Sequence, residues 1–219
     1  MVRKLCCLLV IASVIVSALG TPALAQQVTQ TAGEEPARIR GQIEKVEDSS
    51  IVVKTHEGAT VRLGIPENLT ILKLSKASFT DVDFGVYVGS ISKRLDEYSP
   101  IVRDSLSWLH LGYELRIFDE KLRGLALGHT KWDLTPESVM THGWVDDLEI
   151  RVLSIKYGPT EEEETDVDIP RNVQILNLSF GDQNLIKPGA YIFAGAKKEA
   201  GSYGAVFIMV GEKGVVPPL

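Results

Sequence analysis

Ile65-Pro66-Glu67-Asn68-Leu69-Thr70-Ile71-Leu72-Lys73-Leu74-Ser75 returns 104 residues later as Ile169-Pro170-Arg171-Asn172-Val173-Gln174-Ile175-Leu176-Asn177-Leu178-Ser179. Without a gap, Gly85-Val86-Tyr87-Val88 then returns as Gly189-Ala190-Tyr191-Ile192. Nine of the twenty-three residues from 65 to 87 are identical at that offset, where average residue usage gives roughly one or two matches. The reading that follows is two copies of one small unit, separated by a middle segment that belongs to neither.

Within each copy the apolar residues alternate. Ile39, Gly41 and Ile43 alternate with Arg40, Gln42 and Glu44, the pattern of a half-buried strand. Ile51 to Thr55 is β-branched, Glu57-Gly58 turns the chain into Thr60 to Leu63, and Pro66 ends that strand because it cannot donate to a ladder. Ile71 to Leu74 and Gly85 to Gly89 continue the unit, and Tyr113 to Phe118 is expected to complete it. The second copy has the same plan: His142 to Val145, a long arm from Leu148 to Tyr157, Thr165 to Ile169, Val173 to Leu178, Tyr191 to Gly195 and Gly204 to Gly211. Short strands with Gly/Pro turns predict an all-β protein, and about five strands per unit predict two tandem OB-like β-barrels. Between the copies, Ser99-Pro100 with Val102, Leu106 and Leu109 predicts one short helix.

Arg3-Lys4, the apolar run Leu5 to Leu19 and Ala23-Leu24-Ala25 read as a secretory signal peptide over residues 1–25. The run is shorter than the ~20 residues that span a membrane. Residues 26–37 read as a disordered leader, 38–122 as the first unit with an insertion, 123–141 as an ordered connecting loop, and 142–219 as the second unit. No transmembrane segment is expected after cleavage, and the expected location is periplasmic or secreted. Cys6 and Cys7 lie inside the signal, so the mature chain would carry no disulfide, thiol nucleophile or thiolate ligand. Without Arg3 and Lys4 the chain has 21 basic and 29 acidic residues. That surface repels nucleic acid and anionic membranes.

The non-repeated run from Arg123 to Thr141 concentrates the reactive side chains. Arg123, His129, Trp132 and Asp133 are the candidate binding residues. His129, Asp133, Met140 and His142 are candidate metal ligands, since imidazole with thioether suits copper in an oxidising compartment. The competing reading has His129 and Asp133 hydrogen-bonding the loop's own backbone while Trp132 packs over a barrel. Ser138, His129 and Asp133 contain the residue types of a hydrolytic triad, though no Gly-x-Ser-x-Gly elbow accompanies them. Glu161 to Glu164 with Asp166 and Asp168 could attract Ca²⁺, or form a solvated hairpin edge. Tyr87, Tyr191, Trp108, Trp132 and Trp144 could stack on a sugar, with Tyr87 and Tyr191 better explained by packing at equivalent positions.

Arg123-Gly124, Gly128-His129, Trp132-Asp133-Leu134, Pro136, Ser138, Met140-Thr141 and the tail Gly214-Val215-Val216-Pro217-Pro218 resemble an uncharacterised family of exported bacterial proteins with tandem β domains of unknown function. Its members are sometimes labelled metal ABC transporter permease, a label that a chain with no span past its signal does not fit. The family usually has an acidic residue before the glycine at 128, where this chain has Leu127. The resemblance implies an exported tandem β protein and no known activity. The expected function is a non-enzymatic binding or scaffolding protein of the bacterial envelope, its partner an envelope protein or a small ligand. The alternatives are a periplasmic metal-binding accessory protein using the His129 to His142 region and a hydrolase, and the cofactor is left unassigned.

Overall fold

A computed structural model describes residues 37–95, 108–199 and 202–217. The signal peptide, all of the leader but Ala37, and most of the expected helix after Ser99 lie outside the described residues. The described end of that helix, from Leu109, belongs to a strand.

The fold is all-β. Among the described residues thirteen strands form one hydrogen-bonded system. They are β1 (Ala37–Val46), β2 (Ser50–Thr55), β3 (Thr60–Gly64), β4 (Thr70–Lys76), β5 (Tyr87–Arg94), β6 (Leu109–Phe118), β7 (Gly128–Lys131), β8 (Val139–Glu149), β9 (Val152–Lys156), β10 (Glu164–Asp168), β11 (Gln174–Phe180), β12 (Tyr191–Glu199) and β13 (Ser202–Gly211). The arm expected from Leu148 to Tyr157 is broken by a turn in which Ile150 takes φ = +55°. A β-branched residue in that region is rare, and no Gly, Pro or Asn signals the turn in the sequence.

The pairings close two circuits of five strands. One runs β8-β9-β10-β6-β5 and back to β8, with β10 and β6 parallel. The other runs β1-β2-β3-β13-β12 and back to β1, with β3 and β13 parallel. Neither follows the boundaries 38–122 and 142–219. Each circuit takes a three-stranded meander from one half of the chain and a two-stranded hairpin from the other. The strand expected to complete the first unit, β6, instead pairs with β10 and β11. Each circuit therefore draws its strands from both halves of the chain.

The exchange follows from the bridging strands. β4 and β11 pair antiparallel at the centre, and each carries its half of the chain away from its own meander before the hairpin is laid down. At either end of this pair, Ala77 N–H donates to the Ile175 carbonyl (3.0 Å) and Gly181 N–H to the Ile71 carbonyl (2.9 Å).

Register details recur between the halves. Gly41 faces Ile192 across β1–β12 as Gly143 faces Val88 across β8–β5. Bulges fall between Ile43 and Lys45 and between Val145 and Asp147, and again between Ile91 and Ser92 and between Gly195 and Ala196. Gly85 (φ = +76°) donates to the Val145 carbonyl, and Gly189 (φ = +86°) to the Ile43 carbonyl, each at 2.8 Å. Both turns thus place a glycine where a side chain would be strained. Each links its hairpin to the meander of the opposite half.

Three apolar clusters match this plan. Ile43, Ile51, Val53, Leu63, Ile192 and Ile208 fill the circuit containing β1. Val88, Leu115, Val145, Leu153, Ile155 and Val167 fill the other. The third, with Leu72, Leu74, Tyr87, Phe118, Leu176, Leu178, Phe193 and Met209, lies on the outer face of the central strands. On β4 and β11 this face is buried at Leu72, Leu74, Leu176 and Leu178, while Lys73, Ser75, Asn177 and Ser179 between them are partly exposed.

Candidate functional site

The connecting segment 119–138 straps the central face. Asp119 N–H donates to the Leu178 carbonyl at 2.8 Å, and its carboxylate caps a short 3₁₀ turn, Glu120–Leu122, by accepting from Lys121 N–H. Leu122 is buried in the central cluster. The Tyr87 hydroxyl donates to the Leu125 carbonyl and His142 Nδ1 to the Ala126 carbonyl, both at 3.0 Å. β7 then pairs with β8, an ordered hairpin the sequence reading did not assign. Ser138 pins its turn: the hydroxyl accepts from Thr135 N–H at 2.9 Å, and Trp132 N–H donates to the Ser138 carbonyl at 2.7 Å.

At the far end, Trp132 is half-buried against the central cluster, with its ring 5.8 Å from Phe193. The Arg38 guanidinium lies 4.2 Å from the Trp132 centroid, within cation–π range. Asp133 accepts two hydrogen bonds from Arg40, at 2.6 and 3.0 Å, and lies 3.3 Å from Arg38. The loop's own backbone was the expected partner of Asp133; the bidentate partner is Arg40 on β1, outside the loop. Burial raises the Asp133 pKa, but the Arg40 hydrogen bonds and the charges of Arg40 and Arg38 outweigh it and leave the carboxyl below its usual value.

The other sequence candidates have separate partners. Arg123 donates to the Gly85 carbonyl at 3.0 Å and to Glu120. His129 Nδ1 meets the Thr141 hydroxyl at 2.9 Å, and its ring stacks on Tyr157 at 5.2 Å. Burial lowers its pKa. His142 packs on Phe118 at 5.2 Å. Burial first, then the charge of Arg116, drives its pKa down to about 4 against the Ala126 hydrogen bond. Met140 is buried. Among the described residues no three His, Cys, Asp or Glu side chains are grouped to hold a metal ion, so the structure does not bring His129, Asp133 and His142 together, nor the acidic run from Glu161 to Asp168. Ser138, His129 and Asp133 likewise hydrogen-bond to different partners.

Of the five aromatic candidates for stacking, Tyr87 is buried and Trp132 and Trp144 pack on the central cluster. Tyr191 is partly buried. Trp108 is 55% exposed.

Sequence reasoning missed Arg38 and Arg40, and a buried ion pair. Glu114 and Arg116, two apart on one face of β6, bond to each other and are almost fully buried. Arg116 Nη2 and His142 Nε2 are buried with no protein hydrogen-bond partner, and Gly89 stands between those two residues in the register. Alternation in Tyr113 to Phe118 marks one apolar face and leaves the other to water. Only the second apolar layer makes that other face an interior.

No protein-family model matches the chain, and comparison with curated proteins and with solved structures returns no match.

Proposed function

We propose that this chain is an exported, non-enzymatic binding or scaffolding protein of the bacterial envelope, in which a duplicated unit forms two interlocked OB-like barrels. The observation that carries this reading is the use made of the connecting segment. Arg123 bonds the Gly85 carbonyl, His129 meets Thr141, Trp132 and Asp133 share Arg38 and Arg40, Ser138 bonds Thr135, and His142, at the start of β8, bonds the Ala126 carbonyl. Triads and metal centres need side chains that converge on one point. A strap needs side chains spread along its length, as these are. Resemblance to exported bacterial proteins and the N-terminal Arg-Lys, apolar and Ala-x-Ala pattern support export. No helix among the described residues is long and apolar enough to cross a membrane, a statement that does not extend to membrane β-barrels.

Expression of the full chain in a bacterial host, with cell fractionation and intact-mass measurement, tests the location. Mature protein beginning at Gln26 outside the cytoplasm is expected, and full-length protein in the cytoplasm would count against the reading. Metal analysis of that mature protein tests the accessory-protein alternative. One equivalent of copper or zinc lost in His129→Ala would replace the binding reading with the metal one.

A further inference from the structure

We propose that the outer face of the β8–β9–β10 circuit around Trp108 binds a neutral oligosaccharide; this rests on the binding-protein reading above and names its ligand class. An open cavity of about 540 Å³ lies there, lined by Trp108, Asp146, Lys156, Glu161, Glu164 and Asp166 among others. That volume is in the range of small-ligand sites.

Comparison of the two halves singles this surface out. β8 and β9 repeat β1 and β2, β10 repeats β3, and β6 repeats β13, ladder for ladder. Through those registers Asp146 corresponds to Glu44 and Lys156 to Lys54. Glu164 corresponds to Thr60 and Asp166 to Arg62, and no tryptophan stands in β1, β2, β3, β12 or β13. Glu161 lies in the β9–β10 hairpin loop, which is longer than the His56 to Ala59 turn of the other half. The fold therefore closes a circuit without an indole or this acidic fringe. A large exposed aromatic ring, kept on one circuit only, is not explained by packing.

The chemistry favours a saccharide. An exposed indole face accepts the apolar C–H face of a pyranose. Carboxylates only accept hydrogen bonds and the lysine ammonium only donates. Together they suit hydroxyl groups, which do both. Four carboxylates against one lysine repel an anionic ligand. The same lining would attract an organic cation, which leaves the Lys156 donor without a role; a neutral sugar uses both that donor and the exposed indole face.

The test is calorimetric titration of the mature protein with cellohexaose, chitohexaose and maltohexaose at millimolar concentration, with spermidine as the cationic probe. At least one oligosaccharide should bind with one site per chain and little dependence on salt. Trp108→Ala and Lys156→Ala should each weaken it about tenfold or more. Arg62→Ala, at the corresponding surface of the other circuit, should leave it unchanged. Trp108 is exposed, so its variant should keep the far-UV spectrum and denaturation midpoint of the parent, separating lost binding from lost fold. Binding of none of the three sugars, or binding of spermidine alone, would overturn the assignment. If exported, folded protein gives that result, only the ligand class fails; cytoplasmic full-length protein would instead defeat the reading beneath it.

Discussion

Leu74 stands opposite Leu178 in the antiparallel ladder between β4 and β11, and Leu178 is its own counterpart 104 residues later. A residue that faces its own repeat lies on an approximate two-fold axis. Phe180 faces Leu72 and Leu176 faces Lys76 in register with that axis. Both leucines are buried in the cluster that joins the circuits. Leu74→Ala and Leu178→Ala should each cost about 2–5 kcal/mol. Because the side chains are cross-strand neighbours, the double variant should depart from the sum of the singles by about 0.5 kcal/mol or more. Urea denaturation of the four proteins measures both quantities.

Gly85→Ala and Gly189→Ala should destabilise by similar amounts, about 1 kcal/mol or more. Both have positive φ, and a Cβ at either position would meet nothing within 4 Å. The cost is then one of backbone conformation, without a steric clash. An unchanged denaturation midpoint in either variant would contradict this.

Trp132→Ala should lower stability by roughly 2–3 kcal/mol and should raise amide exchange from β7 to Ser138 above that of β8. Trp132→Phe, which keeps a ring against Phe193 and beneath Arg38, should recover much of the loss. Exchange across the strap equal in all three proteins would show that the indole does not hold it.

Glu114 and Arg116 occupy the places that Phe207 and Met209 hold in the other half, since Glu114 faces Gln174 as Phe207 faces Thr70. Glu114→Gln leaves a buried guanidinium uncompensated and should cost about 3–5 kcal/mol. Glu114→Phe combined with Arg116→Met copies the apolar solution already present on β13. It should be far less damaging than the single change. A double variant as unstable as Glu114→Gln would mean that the ion pair does more than fill an interior.

His142 gives the fold a defined acid sensitivity. Its folded-state pKa of about 4 lies below the ~6.5 of an unfolded histidine, so the folded form binds fewer protons between those values. Stability from this group is complete above about pH 6.5 and falls as pH drops toward 4. His142→Gln should flatten the dependence between pH 7 and 5 relative to the parent, measured by urea midpoints at each pH. Below that window a second loss should follow as Asp133, held below its usual value by Arg40 and Arg38, is protonated.

The sequence by itself determined the all-β class, most of the strands and the turn glycines, because alternation, β-branching, Pro66 and Pro170 act over a few residues; β7 and the break at Ile150 carried no such local signal. It also marked the connecting segment as ordered, through a tryptophan and leucines that need a surface to bury against. Which half supplies which strand of each circuit was decided only in three dimensions. A strand's alternation records that one face is apolar and says nothing of the neighbour across its edge, so β6 reads the same whether it closes its own unit or the other. The partners of Asp133, Glu114 and His142 were hidden for the same reason. Arg40 lies 93 residues from Asp133, and Glu114 and Arg116 become interior only once the bridging strands and the strap cover the face that alternation had assigned to water.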